Sequence, residues 1–223
     1  MMIKNSVFQN GPFLRSPDVR LAVAVLAVFF SMTICQVQAD ERVSRAEALI
    51  SALITDIRST VKSASENEEE RISAINAVVD TYFDVEGIPR FTAGRYWRGA
   101  SKEQRAYYSK QFRNVLIRTA SRQFDQIIGL RFLPTTSKTR GDKLILVGGF
   151  IRDNTGKLPD VEIFWRVSAI EGKPMRVIDV EIENISMLKT QRDENEAIIR
   201  RGGGTFDTLL KSLDTRLATI RKN

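Results

Sequence analysis

The amino-acid sequence predicts an α+β fold: a twisted antiparallel sheet of about four strands packed against helices from both ends of the chain. Three observations carry that prediction. Apolar residues recur at helical spacing between positions 42 and 129. They alternate at strand spacing between 143 and 185, and return to helical spacing from 187 to 221. A run of strands bracketed by runs of helices marks segregated α and β structure.

The first forty residues have their own character. Lys4, Arg15 and Arg20 precede an apolar run from Leu21 to Phe30 that continues to Ile34, and Val37-Gln38-Ala39 then stands before Asp40. A basic segment, an apolar segment and a small-residue site form an export leader. Residues 1–39 are therefore expected to be a signal peptide cleaved near Ala39, and 40–223 a single domain. The apolar run is about 14 residues, short of the roughly 20 that span a bilayer; the alternative is an uncleaved anchor. Ile34 precedes Cys35 where a lipoprotein signal needs a small residue, so lipidation is not expected. Cleavage removes Cys35, the only cysteine, and leaves a domain held by packing alone.

Within the domain, Val43, Ala46, Ile50, Leu53, Ile54, Ile57 and Val61 predict an amphipathic helix over 42–63. Ser65-Glu66-Asn67-Glu68 breaks and recaps the chain, and Glu68–Glu70 suit the positive end of a second helix with Ile72, Ile75, Val79 and Phe83 as its stripe. Gly87 ends that region. Pro89 suits the start of a short helix through Phe91, Tyr96 and Trp97. Ser101 with Gln104 reads as a capping box ahead of the longest helix, whose stripe is Tyr108, Phe112, Val115, Leu116, Ala120, Phe124, Ile127 and Ile128, stopped by Gly129.

The sheet region follows. Residues 130–138 are β-compatible, and 143–151 form an apolar strand in which Gly148-Gly149 suggests a bulge or a close backbone approach. Asp153–Gly156 and Glu171–Pro174 are turn signals. Val161, Ile163, Trp165 and Val167 share one strand face, with Phe164 the exception to the alternation. Ile178, Val180 and Ile182 oppose Asp179, Glu181 and Glu183, which reads as an apolar face and a wet one. A polar helix over 187–201, the spacer Gly202-Gly203-Gly204, and a helix with the stripe Phe206, Leu209, Leu210, Leu213, Leu217 and Ile220 complete the domain.

Composition narrows the chemistry. The chain has no histidine, which excludes Ser-His and Cys-His catalysis and His-rich metal sites. One cysteine excludes a Cys-rich zinc site and an internal disulfide. The leader's three cations exceed its one acid, Asp18, by two, so cleavage lowers the formal charge from +7 to +5. Acids lie among the cations, as Asp193, Glu194 and Glu196 do beside Arg192, Arg200 and Arg201, so the surface reads as mixed and solvated rather than as a nucleic-acid patch. No catalytic residue, metal or cofactor is expected.

Three stretches resemble motifs of the toluene-tolerance, or MlaC, family. The first is Gly94-Arg95-Tyr96-Trp97-Arg98-Gly99-Ala100-Ser101-Lys102-Glu103-Gln104-Arg105, with Tyr108 and Phe112 beyond. The second is Ile178 to Leu188, then Thr190-Gln191-Arg192. The third is Arg200 to Gly204 followed by an apolar helix. With the leader and helix order, the likeness covers about residues 45–220. It departs at Asn184, where the family pattern has glycine. The resemblance implies a soluble periplasmic shuttle of Gram-negative bacteria that takes phospholipid between an outer-membrane lipoprotein complex and an inner-membrane ABC transporter complex. It also implies an apolar cavity between sheet and helices, and leaves open a hopanoid-related lipid.

Under that implication the candidate lipid-binding residues are Val147, Ile163, Trp165, Val167, Ile178, Val180 and Ile182 from the strands, with Phe124 and Ile128 from the long helix. An apolar residue in such a place is more often plain core than ligand wall. Tyr96 and Trp97 either line the mouth, as amphipathic rings do, or anchor their short helix. Arg95 and Arg98 either meet a phosphate or form ion pairs on a helix surface. Gly202–Gly204 is either an anion nest or a helix-to-helix turn. Gly148-Gly149 is a candidate flex point for lipid release. Two rival readings stand beside the carrier. One is a small isomerase-like enzyme on an α+β cone, using Asp125 opposite Tyr107 or Tyr108. The other is a scaffold whose groove holds a partner's peptide.

Overall fold

In the computed structural model, which describes residues 41–60, 67–122 and 130–222, apolar stripes decide where each helix lies. Residues 41–60 form α1, with Ala46, Ile50 and Leu53 buried along one face. Helix α2 (Glu68–Tyr82) starts at Asn67, whose side chain accepts the Glu69 N–H at 2.9 Å, and its first turn is acidic as its positive end favours. The Asp84 carboxylate accepts the Gly87 N–H at 2.8 Å. Gly87 thus opens α3 (Gly87–Thr92) rather than merely closing the region before it, and a separate 3₁₀ turn, Gly94–Trp97, carries Tyr96 and Trp97.

Helix α4 (Lys102–Arg122) begins at the expected reciprocal cap: the Ser101 N–H donates to Gln104 Oε1 at 2.8 Å, and the Gln104 N–H donates to Ser101 Oγ at 3.1 Å. Tyr108, Phe112, Val115 and Ile117 are its buried apolar residues. Leu116, expected in that stripe, is 45% exposed. Adjacent helical residues point about 100° apart, and Ile117 takes the inward direction instead. The expected stripe residues Phe124, Ile127 and Ile128, like the leader, lie outside the described residues.

The sheet comprises β1 (Leu130–Pro134), β2 (Lys138–Thr139), β3 (Leu144–Asp153), β4 (Val161–Ser168), β5 (Arg176–Ile182) and β6 (Ile185–Ser186). Their order is β1-β3-β4-β5-β6, every pairing is antiparallel, and β2 also pairs with β3. The count exceeds the expected four because two strands are two-residue pieces: β2 runs along the β3 edge that β1 also uses, and β6 folds back on β5. The β5–β6 turn is Glu183-Asn184, both left-handed at φ 48° and 64°. That is the two-residue hairpin geometry that favours glycine or asparagine, so Asn184 serves where the family pattern has glycine.

Gly148 and Gly149 keep an unbroken register with β4, while on the other edge of β3 the register shifts beside them: Pro134 pairs with Gly149 and Lys138 with Leu146, so three residues stand opposite Val147 and Gly148. The two glycines answer a space requirement. A Cβ on Gly149 would lie 2.2 Å from the Phe132 ring and 2.7 Å from the Leu133 carbonyl oxygen, and one on Gly148 would lie 2.8 Å from the Thr136 carbonyl oxygen. A further irregularity falls between Arg166 and Val167, where β5 gains a residue: Arg166 pairs with Asp179 and Val167 with Val177.

Helix α5 (Met187–Arg201) is capped by Ser186, which accepts the Lys189 N–H, and α6 (Phe206–Lys222) follows the glycine spacer. Gly202 and Gly204 donate their N–H groups to Ile198 and Ile199, and Gly203 and Gly204 are left-handed. The spacer is therefore a helix-to-helix turn. Among the described residues no helix is long and apolar enough to cross a membrane.

Burial divides into two cores. The sheet core sets Ala46, Ile50 and Leu53 of α1 and Tyr82 of α2 against Ile145, Val147, Ile163, Trp165, Val167 and Val177. The helical core joins α4 to α5 and α6 through Tyr108, Phe112, Val115, Ile199, Leu209 and Leu213.

Candidate apolar face and ligand cleft

The strand pleat brings most of the nominated strand residues onto one face. Val147 pairs with Trp165 and Trp165 with Val180, while Ile163 pairs with Ile182. Val147, Ile163, Trp165 and Val167 are buried in the sheet core and Val180 is packed at its margin. Ile182 lies on the same face but reaches the sheet's end, 36% exposed. Ile178 is half-buried at the break in the register. The extra residue in β5 leaves it without a partner on β4, and Val177, fully buried, fills the position opposite Val167. Phe124 and Ile128 lie outside the described residues. The indole Nε1 of Trp165 is buried with no hydrogen-bond partner among the described residues.

The opposite face departs from expectation. Asp179 was read as solvated, yet it is 5% exposed. Its carboxylate accepts Ser186 Oγ at 2.5 Å, the Leu188 N–H at 2.8 Å and the Val180 N–H at 2.7 Å, and faces Arg166 at 3.1 Å. Glu181 meets the same guanidinium at 3.3 Å. The regular register sets Asp179 beside Arg166, and β6 with the first turn of α5 folds over it and covers it. Asp179 thus ties β4, β5, β6 and α5 together.

Between the sheet end and the helices lies an open cleft of about 790 Å³. One wall comes from α3, the 3₁₀ turn and α4 through Arg90, Trp97 and Arg105. The other comes from the β4–β5 turn through Ile170, Lys173 and Arg176, and residues 84–86 close the end. Its cations are unmatched: among the described residues none of Arg90, Arg105, Lys173 and Arg176 pairs with a carboxylate. Arg105 is held by carbonyls, its Nε donating to Trp97 O at 2.8 Å and its Nη2 to Arg98 O at 3.0 Å, with the guanidinium 5.7 Å from the Trp97 ring centre. Arg176 donates to the Met175 carbonyl. Two acids, Asp84 and Glu86, share the cleft, and Asp84 is engaged at the start of α3.

Trp97 belongs to both settings, lining the cleft and packing on the helical core, whereas Tyr96 packs only on the core. Arg95 donates to Tyr96 OH at 3.0 Å and lies over its ring, and Arg98 contributes its carbonyl; neither side chain lines the cleft. The four cleft cations were missed because they stand at 90, 105, 173 and 176, and only the fold assembles them.

Of the rival enzyme's residues, Tyr107 is exposed and donates to Asp214. Tyr108 is fully buried between Thr92 Oγ1 at 2.9 Å and Asn195 Nδ2 at 2.8 Å, where burial pushes its phenol well above the ordinary range. Asp125 lies outside the described residues. The partners of both tyrosines are structural.

The family model for the MlaC protein matches residues 47–215, most of the domain. The chain belongs to the MlaC family. Its fold is shared with the phospholipid-binding protein from Ralstonia solanacearum, solved in complex with a phospholipid. The two are 20% identical, with a TM-score of 0.67 over 78% of this chain and 97% of that one. No curated protein matches. The MlaC match takes in α4, the sheet, α5 and the start of α6, so the apolar face and the cleft both fall within it.

Proposed function

We propose that this protein is a periplasmic lipid carrier. It holds phospholipid acyl chains against the apolar face of its sheet and moves them between an outer-membrane lipoprotein complex and an inner-membrane ABC transporter complex. The observation that carries the reading is membership of the MlaC family over residues 47–215. A shared fold with a protein solved with phospholipid bound supports it.

Physical chemistry points the same way. Each buried methylene contributes about 0.8 kcal/mol, so two long chains contribute on the order of 20 kcal/mol before the costs of association. The proposed walls are Val147, Ile163, Trp165, Val167 and Val180, with Ile182 at the rim and Phe124 and Ile128 from the end of the helical region. Ile178, half-buried at the break in the register, flanks them. The unpartnered Trp165 indole supports a ligand in this region, since a lipid ester carbonyl would satisfy it. In this reading the protein binds and delivers, with no catalytic group, metal or cofactor. Residues 1–39 are its export leader, and 40–223 the single domain released.

Mass spectrometry of an organic extract of the periplasmic protein, with total phosphorus measured beside it, tests the proposal. Phospholipid in near-stoichiometric amount is expected. An extract free of lipid, or one holding only a peptide, would overturn it.

A further inference from the structure

We infer that the cleft between α3–α4 and the β4–β5 turn is a phosphate subsite that receives the phosphodiester of the carried lipid. The inference rests on the carrier reading and adds a polar site to an apolar one.

Four cations converge there without a carboxylate partner, against two acids of which one already bonds backbone. Evolved surfaces usually intersperse opposite charges, so a cleft that gathers unmatched cations is built for an anion. Two of the four bond backbone carbonyls. Arg105 is held at two points by the Trp97 and Arg98 carbonyls, so it need not be ordered when an anion arrives, and Arg176 makes one bond to the Met175 carbonyl. Arg90 and Lys173 are exposed and free to close over it from opposite walls. Guanidinium groups match phosphate oxygens in geometry as well as charge.

Size and lining choose among phosphates. A cleft of about 790 Å³ far exceeds an inorganic ion, and Val85, Trp97, Ile170 and Pro174 give it apolar surface beside the cations. Val85 and Ile170 are also among the chain's exposed large apolar side chains. An anion joined to a hydrocarbon body suits such a wall. The cleft also abuts the sheet core: Ser168 and Ile170 flank buried Ala169, and Arg176 precedes buried Val177. Adjacent strand residues point to opposite faces, so the paired Ser168 and Arg176 set the cleft at the strand ends on the side away from Val167 and Val177, and the chains would reach the sheet core around that end.

The experiment uses the delipidated protein and the Arg90→Gln/Lys173→Gln double variant, whose altered side chains make no hydrogen bond or ion pair in the fold; equal thermal midpoints confirm folding. Binding is measured for phosphatidylglycerol in vesicles, for diacylglycerol with the same chains, and for glycerol 3-phosphate. Phosphatidylglycerol should weaken about tenfold per cation removed, with diacylglycerol unchanged. Raised salt should weaken wild-type binding of phosphatidylglycerol more than of diacylglycerol. Unchanged phosphatidylglycerol binding in the double variant overturns the subsite while the carrier reading stands. Tight glycerol 3-phosphate binding without diacylglycerol binding assigns the cleft to a free phosphate and overturns the lipid assignment. A wild-type protein that takes up neither lipid overturns the carrier reading and the subsite with it.

Discussion

The two cores are finished to different degrees. In the helical core Tyr108 stacks on Phe112 with ring centres 5.6 Å apart, meets Phe206 at the same separation, and satisfies its hydroxyl through Thr92 and Asn195. Asn195 is itself bonded on both sides, donating to the Thr92 carbonyl and accepting from Gln191. The sheet core has no such closure. Trp165 keeps a buried N–H without a partner among the described residues, Val180 and Phe132 are only partly covered, and Ile182 emerges at the end of the apolar face. A satisfied polar network specifies one arrangement, whereas an orphaned donor in an apolar core leaves a hydrogen bond unmade. In the proposed carrier the contrast separates the scaffold from the binding side.

The contrast breaks most severely at the residue that joins the regions. Asp179→Ala removes the acceptor for Ser186 and Leu188 and leaves the part-buried Arg166 with Glu181 alone. Urea unfolding should show a loss of about 3–5 kcal/mol. A loss below about 1 kcal/mol would mean that the regions hold together without it. Gly149→Ala sharpens the picture on the sheet side. The new methyl meets the Phe132 ring and a backbone oxygen that cannot move aside, so a loss of about 1–3 kcal/mol is expected by the same measurement.

Smaller effects lie farther from both cores. Glu183 occupies a left-handed position at φ 48°, so Glu183→Asn should stabilise by about 1 kcal/mol and raise the melting midpoint. At the α2–α4 contact, the Arg113 guanidinium holds the Asp80 carboxyl below its ordinary value of 3.8. A lowered folded-state value means that the pair stabilises above that ordinary value and loses its contribution as pH falls through the folded one. Because Asp80 is largely exposed, Asp80→Asn should cost under about 1 kcal/mol at neutral pH. It should also flatten the acid limb of a stability–pH profile.

Much of the scaffold was legible because its signals are local. The reciprocal cap of Ser101 and Gln104 and the stripe of α6 each lie within a few residues of sequence and appear as expected, and the recapping expected over 65–68 falls to Asn67. The binding side was legible only in part. The irregularity opposite Arg166 and Val167 shifts the phase of β5 and puts Val177 on the core face, and the distant start of α5 folds over Asp179 and buries it. Two adjacent apolar residues, Val177 and Ile178, leave that choice of phase open, as Leu116 and Ile117 do on α4. The cleft cations lie up to 86 positions apart, between Arg90 and Arg176, and no local pattern could have joined them.

The chain's two tryptophans sit one in each setting, Trp97 on the cleft and Trp165 on the apolar face, which makes the central claim directly measurable. Trp97→Phe leaves Trp165 as the single reporter, to be loaded with phosphatidylglycerol carrying brominated acyl chains. Strong quenching of its fluorescence, relative to the same lipid without bromine, is the predicted result. Lipid bound in measured amount with Trp165 unquenched would contradict the account.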